Sequence, residues 1–285
     1  MAALSSRRLI TCVYHGLLIF PRRSFFLEGL KRMIRRCIPV TLMCCATSLA
    51  WADPADAHWH GVAGASFAAA SGNTDSLALQ LTLDLGRQRA HDKTSVSAYV
   101  NEGRSKNNGD ATSTTTAGKW GLSGQYDRDL DTVWYGFGKL SFEHDRVIDL
   151  TLRSIAGAGL GYHLIKTDPL SFDVFGGLSY TLSRYSAVQT IDGDTGRRFH
   201  SVGGLLGEES SHQFTDTVSF KQRLEYYPAI SGNKSQLLKF NALLGVSMTK
   251  TLSLSVGLTD TYDSQPAEGR KRNDASLFTG VNMKL

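Results

Sequence analysis

Polar and apolar side chains alternate with a period of two residues in several stretches of this chain. In residues 76–86 the apolar members of the alternation are Leu77, Leu79, Leu81, Leu83 and Leu85. Between them stand Gln80, Thr82 and Asp84. Successive side chains of a β-strand point to opposite faces, whereas a helical face repeats about every 3.6 residues. Because the same alternation returns in 170–183 and 252–261, the pattern predicts an all-β fold.

Turn-forming residues divide the chain into an even number of alternating stretches. Short polar turns follow every second stretch, and the remaining junctions, at 71–75, 104–112, 144–150, 185–197, 228–235 and 264–272, are rich in Gly, Asn, Asp and Pro. The predicted strands span 58–70, 76–88, 93–103, 113–128, 132–143, 151–165, 170–184, 198–213, 217–227, 236–248, 251–263 and 273–285. Short turns at one end and longer loops at the other are typical of bacterial outer-membrane barrels. Counts of ten or fourteen strands stay open at this point.

A membrane barrel and a soluble β-structure are the two alternatives for this alternating pattern. Residues 53–285 contain no apolar run near the roughly 18 to 20 residues of a spanning helix. A closed barrel is then the structure that satisfies its backbone within a bilayer. A β-sandwich or lipocalin-like barrel is the alternative, but its non-core face is usually charged. Here that face is mainly Ser, Thr, Gly, Gln and Asn, which suits a lumen of small residues. The inside and outside of a barrel look alike in sequence, so the export signal, the strand length and the turn asymmetry are what favour a transmembrane antiparallel up-and-down β-barrel.

The N-terminal region has the features of a secretory signal. Residues 33–36 form a positively charged segment through Arg35 and Arg36, 37–49 are mostly apolar, and Ala50-Trp51-Ala52 forms an A-x-A cleavage site. We therefore expect a signal peptide over 33–52. Residues 1–32 have no matching role, and we expect translation to begin at Met33. The barrel domain is then 53–285, and the export signal predicts location in the outer membrane.

The charge and cysteine distributions exclude several classes of function. Of 31 Lys and Arg and 26 Asp and Glu, eight basic and one acidic residue lie in 1–52, which leaves 23 basic against 25 acidic residues. Because the excess of basic over acidic residues is confined to 1–52, the leader, it argues against nucleic-acid binding by the barrel domain. All four cysteines also lie in the leader, so the barrel domain needs neither disulfides nor thiolate-bound metal.

Charged residues inside the predicted strands indicate which face lines the interior. Lys221, Arg223 and Glu225 share one face of a strand whose other face carries Phe220 and Leu224. Charges on a lipid-facing surface are costly. We therefore expect these three residues to face the lumen, together with Asp84 and Asp173 at equivalent positions of their strands.

A dense charged cluster is expected in one of the outer loops, formed by Glu143, His144, Asp145, Arg146 and Asp149. It is compatible with a divalent-ion or lipopolysaccharide contact. A solvated loop held by its own weak ion pairs is the favoured interpretation.

The histidines offer a possible hydrolase, which is the alternative hypothesis for function. A Ser nucleophile needs a neighbouring base. His212 follows Ser210 by two residues and shares its face, but no acid is clearly placed as a third member; His200 and Ser201 are adjacent and point to opposite faces. His58 and His60 share a face without a third metal ligand. We therefore expect no enzyme, metal or cofactor, with a lipase- or deacylase-type lipid-modifying enzyme as the alternative.

The motifs between Trp59 and Leu285 resemble the outer-membrane family known as domain of unknown function 481, whose members are often described as salt-induced outer-membrane proteins. The resemblance is carried by Ser71-Gly72-Asn73-Thr74-Asp75, Tyr126-Asp127-Arg128, Glu143-His144-Asp145-Arg146, Asp149-Leu150-Thr151-Leu152-Arg153, Gly157-Ala158-Gly159-Leu160-Gly161-Tyr162 and Tyr262-Asp263 with Pro266, Gly269 and Asp274. An Arg is more typical where His144 stands. The resemblance implies a membrane barrel and supplies no catalytic residue.

The small polar lumen face and the modest loops predict a narrow pore or an envelope-structural barrel, and the family resemblance implies a link to osmotic or salt stress. Twelve strands lie between eight, where side chains fill the interior, and sixteen, where an aqueous channel opens. The expected partners are outer-membrane lipid and lipopolysaccharide, small solutes or ions, and the barrel assembly machinery. The assembly machinery is expected to recognise the alternating last strand, although this chain ends in Leu285 where an aromatic residue is usual.

Overall fold

The computed structural model describes residues 58–71, 74–107, 110–267 and 269–285. They form the strands β1 (Trp59–Ala70), β2 (Thr74–Gln88), β3 (Asp92–Asn107), β4 (Thr114–Asp129), β5 (Trp134–Asp145), β6 (Leu150–Lys166), β7 (Leu170–Ile191), β8 (Asp194–Gln213), β9 (Val218–Gly232), β10 (Gln236–Ser247), β11 (Leu252–Asp263) and β12 (Asn273–Lys284). The predicted extension 1–32 and signal peptide 33–52 lie outside the described residues. Within the described part of the chain, no helix has the length and apolar character needed to cross a bilayer.

The twelve strands form a closed antiparallel barrel in which each strand pairs with its neighbours in sequence and β1 pairs with β12. The prediction of an all-β up-and-down barrel with twelve strands is confirmed, and the alternatives of ten and fourteen are wrong. The closing pair is the shortest ladder of the sheet. It joins Val62–Ala65 to Val281–Lys284 through four residue pairs, whereas β1 and β2 share twelve.

The alternation places large apolar side chains on the outer surface of the barrel. Leu178 is 68% exposed and Leu206 is 54% exposed, and the outward leucines of β2 and β11 are similarly accessible. Residues of the other parity face inward, and they include buried groups such as Leu205, Phe175 and Glu225. An apolar exterior around a partly polar interior is the arrangement of a membrane barrel and the inverse of a soluble one.

The two ends of the barrel differ in how their connections are built. We call the end that carries Trp59 and Lys284 the proximal end, and the opposite end the distal end. Three proximal turns use one side-chain oxygen to accept backbone N–H groups two and three residues later. Asp131 Oδ1 does so at 2.7 Å from both Val133 N and Trp134 N, and Thr215 and Thr249 accept in the same way. Such turns explain the short polar junctions seen in the sequence.

The prediction of a distal loop at 185–197 is wrong, because β7 and β8 both continue through this segment. β7 runs to Ile191, β8 begins at Asp194, and only Asp192 and Gly193 lie between them. Both have positive φ, 54° and 84°, which is the backbone of a type I′ turn, for which Asp-Gly is a preferred sequence. The segment is therefore a hairpin that extends beyond the neighbouring strands.

Paired glycines allow β6 and β7 to approach each other closely on the inner surface. Gly159 lies opposite Gly177. A Cβ added to Gly177 would lie 2.1 Å from the carbonyl oxygen of Ala158, and one added to Gly159 would lie 2.1 Å from that of Gly176. No side chain fits at such a distance, so the close approach of the two strands requires glycine at both positions.

Candidate functional site in the barrel lumen

Contacts between strands that are not neighbours identify the side chains of the lumen. In a closed barrel such strands face each other only across the interior. Arg223 on β9 donates from Nη2 to Gln125 Oε1 on β4 at 2.6 Å. Arg153 on β6 donates from Nη2 to Asp263 Oδ2 on β11 at 3.2 Å. The charged residues of the sheet therefore meet inside the barrel.

Five charged side chains form a connected group that we call the central belt: Lys93, Lys139, Glu209, Arg223 and Glu225. Arg223 donates from Nε to Glu225 Oε1 at 2.9 Å and forms an ion pair with Glu209. Lys139 pairs with Glu225, and Lys93 Nζ lies 3.6 Å from Glu209 Oε1. These residues come from β3, β5, β8 and β9, so the belt crosses the lumen.

The pair of Lys139 and Glu225 is the most buried part of the central belt. Their side chains are 10% and 6% exposed. Glu225 also accepts a hydrogen bond from the Tyr227 hydroxyl at Oε2, 2.9 Å away. A buried carboxylate surrounded by donors is stable, but removing one partner leaves an uncompensated charge.

An apolar layer supports the central belt from β5 to β10. Its buried members are Tyr135, Phe137, Ile155, Phe175, Leu205, Tyr227 and Leu237. The guanidinium carbon of Arg223 lies 5.0 Å from the centre of the Phe175 ring, which is a cation–π distance. Phe137 packs edge-on against the same ring with centroids 5.5 Å apart. Aromatic contacts thus hold the guanidinium in position.

A second group of charges lies closer to the distal end, and we call it the distal group: Glu143, Arg153, Lys239 and Asp263. Glu143 on β5 accepts from Arg153 Nη1 at 3.1 Å and pairs with Lys239 on β10. Arg153 also donates from Nε to Ser183 Oγ at 3.2 Å. Since Arg153 reaches Asp263 as well, the distal group joins β5, β6, β10 and β11 across the lumen.

Many inward positions of β11, β12, β1 and β2 carry small side chains, and we call this part the small-residue wall. Phe278 also faces inward there, with its ring over Gly257. Asn282 donates from Nδ2 to Ser255 Oγ at 2.6 Å and to Ser253 Oγ at 3.4 Å. Outward neighbours on the same strand, such as Leu254 and Val256, are exposed. Most of the bulky inward side chains thus lie between β5 and β10, while Lys119 on β4 forms an ion pair with Asp274 on β12 across the opposite side of the lumen.

The five residues predicted to face the lumen all lie on the inward side of their strands. Arg223 and Glu225 belong to the central belt. Asp173 Oδ1 lies 2.8 Å from His163 Nδ1. Lys221 on β9 and Asp84 on β2 face inward as well, on opposite sides of the barrel.

The prediction of one charged cluster in an outer loop is wrong, because β5 extends to Asp145. Glu143 belongs to the distal group. His144 faces outward, stacks on Trp120 with centroids 5.9 Å apart, and lies 3.0 Å from the Thr151 carbonyl oxygen through Nδ1. Asp145 Oδ2 faces inward, 3.2 Å from Lys119 Nζ.

The last two members of that cluster also separate. Arg146 forms hydrogen bonds of 2.8 and 3.0 Å to the two carboxylate oxygens of Glu102. Asp149 lies 3.7 Å from Arg270. Because β5 continues to Asp145, the five residues are distributed between the lumen, the outer surface and the distal loops.

The structure gives the hydrolase alternative no assembled site. Ser210 and His212 share the outer face of β8, but Ser210 Oγ has no hydrogen-bond partner among the described residues. The His212 ring packs on Phe214 and Phe220 with centroids 5.8 and 6.2 Å apart. His200 points outward while Ser201 points inward. Within the described ranges no three His, Cys, Asp or Glu side chains are grouped as metal ligands.

Sequence reasoning missed most partners of the predicted lumen residues. Lys93, Lys139, Arg153, Glu209 and Lys239 were not identified, although each stands at an inward position of its strand. The adjacent residues Glu208 and Glu209 offered one signal. Two neighbouring acidic side chains on a strand must point to opposite faces, so one of them must face the lumen. The cross-lumen pairing itself depends on barrel closure and has no local signature.

Comparisons with known proteins agree with the resemblance found in the sequence. The family described as "Protein of unknown function, DUF481" matches residues 63–284. No curated protein matches. The NanC porin structure is 14% identical with a TM-score of 0.45, covering 79% of this chain and 97% of that chain. The translocator domain of the autotransporter NalP from Neisseria meningitidis is 11% identical with a TM-score of 0.39, covering 91% and 94%. The β domain of the Bordetella autotransporter Brka is 12% identical with a TM-score of 0.34, covering 79% and 96%.

Proposed function

The chain belongs to the DUF481 family, and from that premise we propose that it is an outer-membrane β-barrel providing a narrow path, lined by paired charges, for small solutes or ions. The membrane placement is supported by the apolar outer surface. At the proximal end, Trp134 and Tyr162 pack edge to face with centroids 4.9 Å apart. Aromatic residues of this kind are enriched at membrane–water interfaces. The proximal end then faces the periplasm.

The observation that carries this proposal is the central belt. Lys139, Glu225, Arg223, Glu209 and Lys93 link β5 to β3 through the interior. They divide the cross-section, and we place the solute path on the side next to the small-residue wall, where the ion pair of Lys119 with Asp274 also crosses the lumen. Twelve strands give an interior between the filled and the open cases, so the path is narrow.

The central belt also determines how the path responds to salt. Lys93 and Glu209 are 41% and 36% exposed, whereas Lys139 and Glu225 are nearly enclosed. Salt screens exposed ion pairs much more than buried ones. Raising the ionic strength therefore loosens the Lys93 side of the belt first, and the conductance rises more steeply than the salt concentration.

Planar-bilayer recording of the full chain tests the proposal. Glu225→Gln removes the charge at the centre of the belt and is expected to change the conductance and its salt dependence. Asp216→Asn removes one charge from an exposed proximal turn and serves as the matched control. Absence of stepwise conductance at every voltage and salt concentration would leave an envelope-structural role in place of the pore.

The proposal extends to partners and physiology. Membrane lipid and lipopolysaccharide contact the outer surface, and the barrel assembly machinery binds β12 during insertion. A role in salt or osmotic stress predicts that a strain lacking the protein grows more slowly in high-salt medium, with recovery by the intact gene. Equal growth of the two strains would remove that part of the proposal.

A further inference from the structure

The apolar outer surface of β7 and β8 ends in basic side chains at the distal end. The last apolar outward residues are Leu182 on β7 and Val202 on β8. The outward positions beyond them hold Arg184, Arg198 and His200, which are all exposed. Arg184 and Arg198 lie directly opposite each other in the ladder, and His200 lies opposite Leu182. We call Arg184, Arg198 and His200 the distal basic patch.

Placing Arg184 opposite Arg198 is unfavourable for the isolated chain. Side chains directly opposite on one face of a sheet have Cβ atoms about 5 Å apart, and like charges there are destabilising. Neither guanidinium has an ion pair or a hydrogen bond within the part of the chain that the structure describes. Each guanidinium carries a planar set of N–H donors. The pair therefore presents two adjacent cations to an anion.

The acidic residues of the adjoining segments do not supply that anion. Asp149 Oδ2 lies 3.7 Å from Arg270 Nη2. Asp192 Oδ2 accepts a hydrogen bond from the backbone N–H of Lys234 at 3.1 Å. Asp194 stands at the tip of the hairpin, four positions before the arginine of β8, which is about 13 Å along an extended strand. The anion that fits the patch thus comes from outside the chain.

The distal basic patch is held in place by the inner face of its hairpin. Tyr185, Ile191 and Phe199 are buried together with Leu150, and the Tyr185 and Phe199 rings meet edge to face with centroids 5.9 Å apart. Asn233 Nδ2 donates to the Ile191 carbonyl oxygen at 3.4 Å. Each arginine of the patch directly precedes one of the two buried rings. Because its backbone is already ordered, the patch pays little ordering cost when it binds.

The patch lies just outside the apolar band of the barrel. Tyr180 faces outward ten positions after the start of β7 at Leu170, and Arg184 follows four positions later. With a rise of about 3.3 Å per residue and a tilt near 40°, Tyr180 lies roughly 25 Å above the start of its strand, which is about the height of the band. Arg184 lies roughly 10 Å farther out by the same geometry. Long arginine side chains can reach back to the interface, so the patch is at headgroup level.

We propose that the distal basic patch binds the phosphate groups on the sugar headgroup of a lipopolysaccharide molecule in the outer leaflet. The inference rests on the proposed function, because a periplasmic proximal end places the distal half in that leaflet. A guanidinium group donates two parallel hydrogen bonds to a phosphate, and the His200 ring adds a further N–H donor. The acyl chains lie below, against the exposed side chains of Leu178 and Val202.

The patch suits a phosphorylated sugar better than a phospholipid headgroup. A phospholipid carries one phosphate directly beside its acyl chains, whereas this patch offers two neighbouring cations farther out. A sugar headgroup with several phosphates neutralises both arginines at once, and its hydroxyl groups accept from His200. Binding then removes the repulsion between Arg184 and Arg198.

Native mass spectrometry of the refolded full chain in detergent tests the site with lipid A that carries two phosphates. The comparison lipids are lipid A without phosphates and phosphatidylglycerol. The test variant is Arg184→Gln with Arg198→Gln. The matched control variant is Lys271→Gln with Arg272→Gln, which removes two charges from the exposed distal loop before β12. Heat-modifiable gel mobility shows that each chain is folded, and flotation with membranes tests the proposed location separately.

We expect the original chain to bind the phosphorylated lipid A about tenfold more tightly than either comparison lipid. The test variant should lose this preference and the control variant should keep it. Equal binding of phosphorylated and dephosphorylated lipid A by the original chain would overturn the inference without any variant. Equally tight binding of phosphatidylglycerol, unchanged binding by the test variant, or equal loss in the control variant would also overturn it.

Unfolding without lipid A separates binding from a structural role. The test variant should unfold at the same midpoint as the original chain or a higher one, because it relieves the repulsion between two like charges. A lower midpoint would show that the arginines stabilise the fold and would overturn the inference. A chain that does not float with membranes would instead contradict the proposed function.

Discussion

The two sides of the lumen wall are built from the same alternation but hold different residues on the inner face. From β5 to β10 the inward side chains are aromatic, aliphatic and charged, and they contact one another across the interior. On the small-residue wall they are mostly Ser, Thr, Gly and Asn. The outer surface is apolar on both sides. The outward residues therefore specify the barrel, while most of the bulky inward residues lie on one side of it.

The strongest test of the difference between the two sides of the lumen removes one charge from the side formed by β5 to β10. Glu225→Leu leaves Lys139 and Arg223 without their shared carboxylate, and breaking a buried pair costs about 3–5 kcal/mol. We expect that loss in the free energy of unfolding, measured by urea titration in lipid vesicles. Ser255→Ala on the small-residue wall is the control and should lose about 1 kcal/mol.

The double variant Lys139→Met with Glu225→Leu sharpens the result. Neighbouring sites couple non-additively, so removing both charges should recover part of the loss. Equal destabilisation by Glu225→Leu and Ser255→Ala would show that the two walls do not differ energetically.

The second test compares an inward and an outward glycine on the side of the barrel formed by β5 to β10. Gly177→Ala places a methyl group against the Ala158 carbonyl oxygen, and overpacking of this kind costs about 1–3 kcal/mol. Gly138→Ala has no atom within 4 Å of its new Cβ and is the matched control. Thermal unfolding in detergent should separate the two variants; similar midpoints would contradict the close contact.

The third test concerns the small-residue wall and uses conductance. Ser255→Leu adds bulk beside the proposed path and should lower the single-channel conductance without abolishing it. Leu254→Ala changes the adjacent residue on the outer face and should leave the conductance unchanged. An effect of Leu254→Ala as large as that of Ser255→Leu would place the path elsewhere.

The smallest expected effect is at a proximal turn, away from both walls. Backbone N–H groups of Trp134 and Val133 donate to Asp131 and lower the pKa of its carboxyl group. Its stabilising contribution is therefore present above the unfolded pKa, near about pH 4, and is lost as the pH falls through the lower folded value.

Asp131→Thr tests this turn, because Thr keeps the acceptor used at Thr215 and Thr249 but does not titrate. Unfolding midpoints between about pH 2 and pH 5 should fall more steeply in the original chain than in the variant. Parallel pH profiles would exclude the carboxylate as the source.

The strands were predictable because each carries its own alternation. The period in Leu77–Leu85 is enough to place β2, and the parity of Lys221 and Arg223 indicates their inward direction. The family was predictable from motifs distributed along the chain. These features depend on local residue order, which one sequence records directly.

The remaining features depend on contacts between distant parts of the chain. Lys139 meets Glu225 only after the barrel has closed, so neither residue identifies the other in sequence. Asp192-Gly193 was predicted to lie within a longer loop, although Asp-Gly favours a tight hairpin. Glu143 seemed to belong to a loop because charged residues follow it, but its strand parity places it in the lumen.

The four residue pairs between β1 and β12 have a consequence for how the barrel assembles and opens. Neighbours in sequence can pair as each new strand is added, but the first and last strands meet only when the whole chain is in place. Closure therefore requires both ends of the barrel sequence, and it is held by the fewest pairs. If these two strands separate, the interior gains a side exit directly into the lipid.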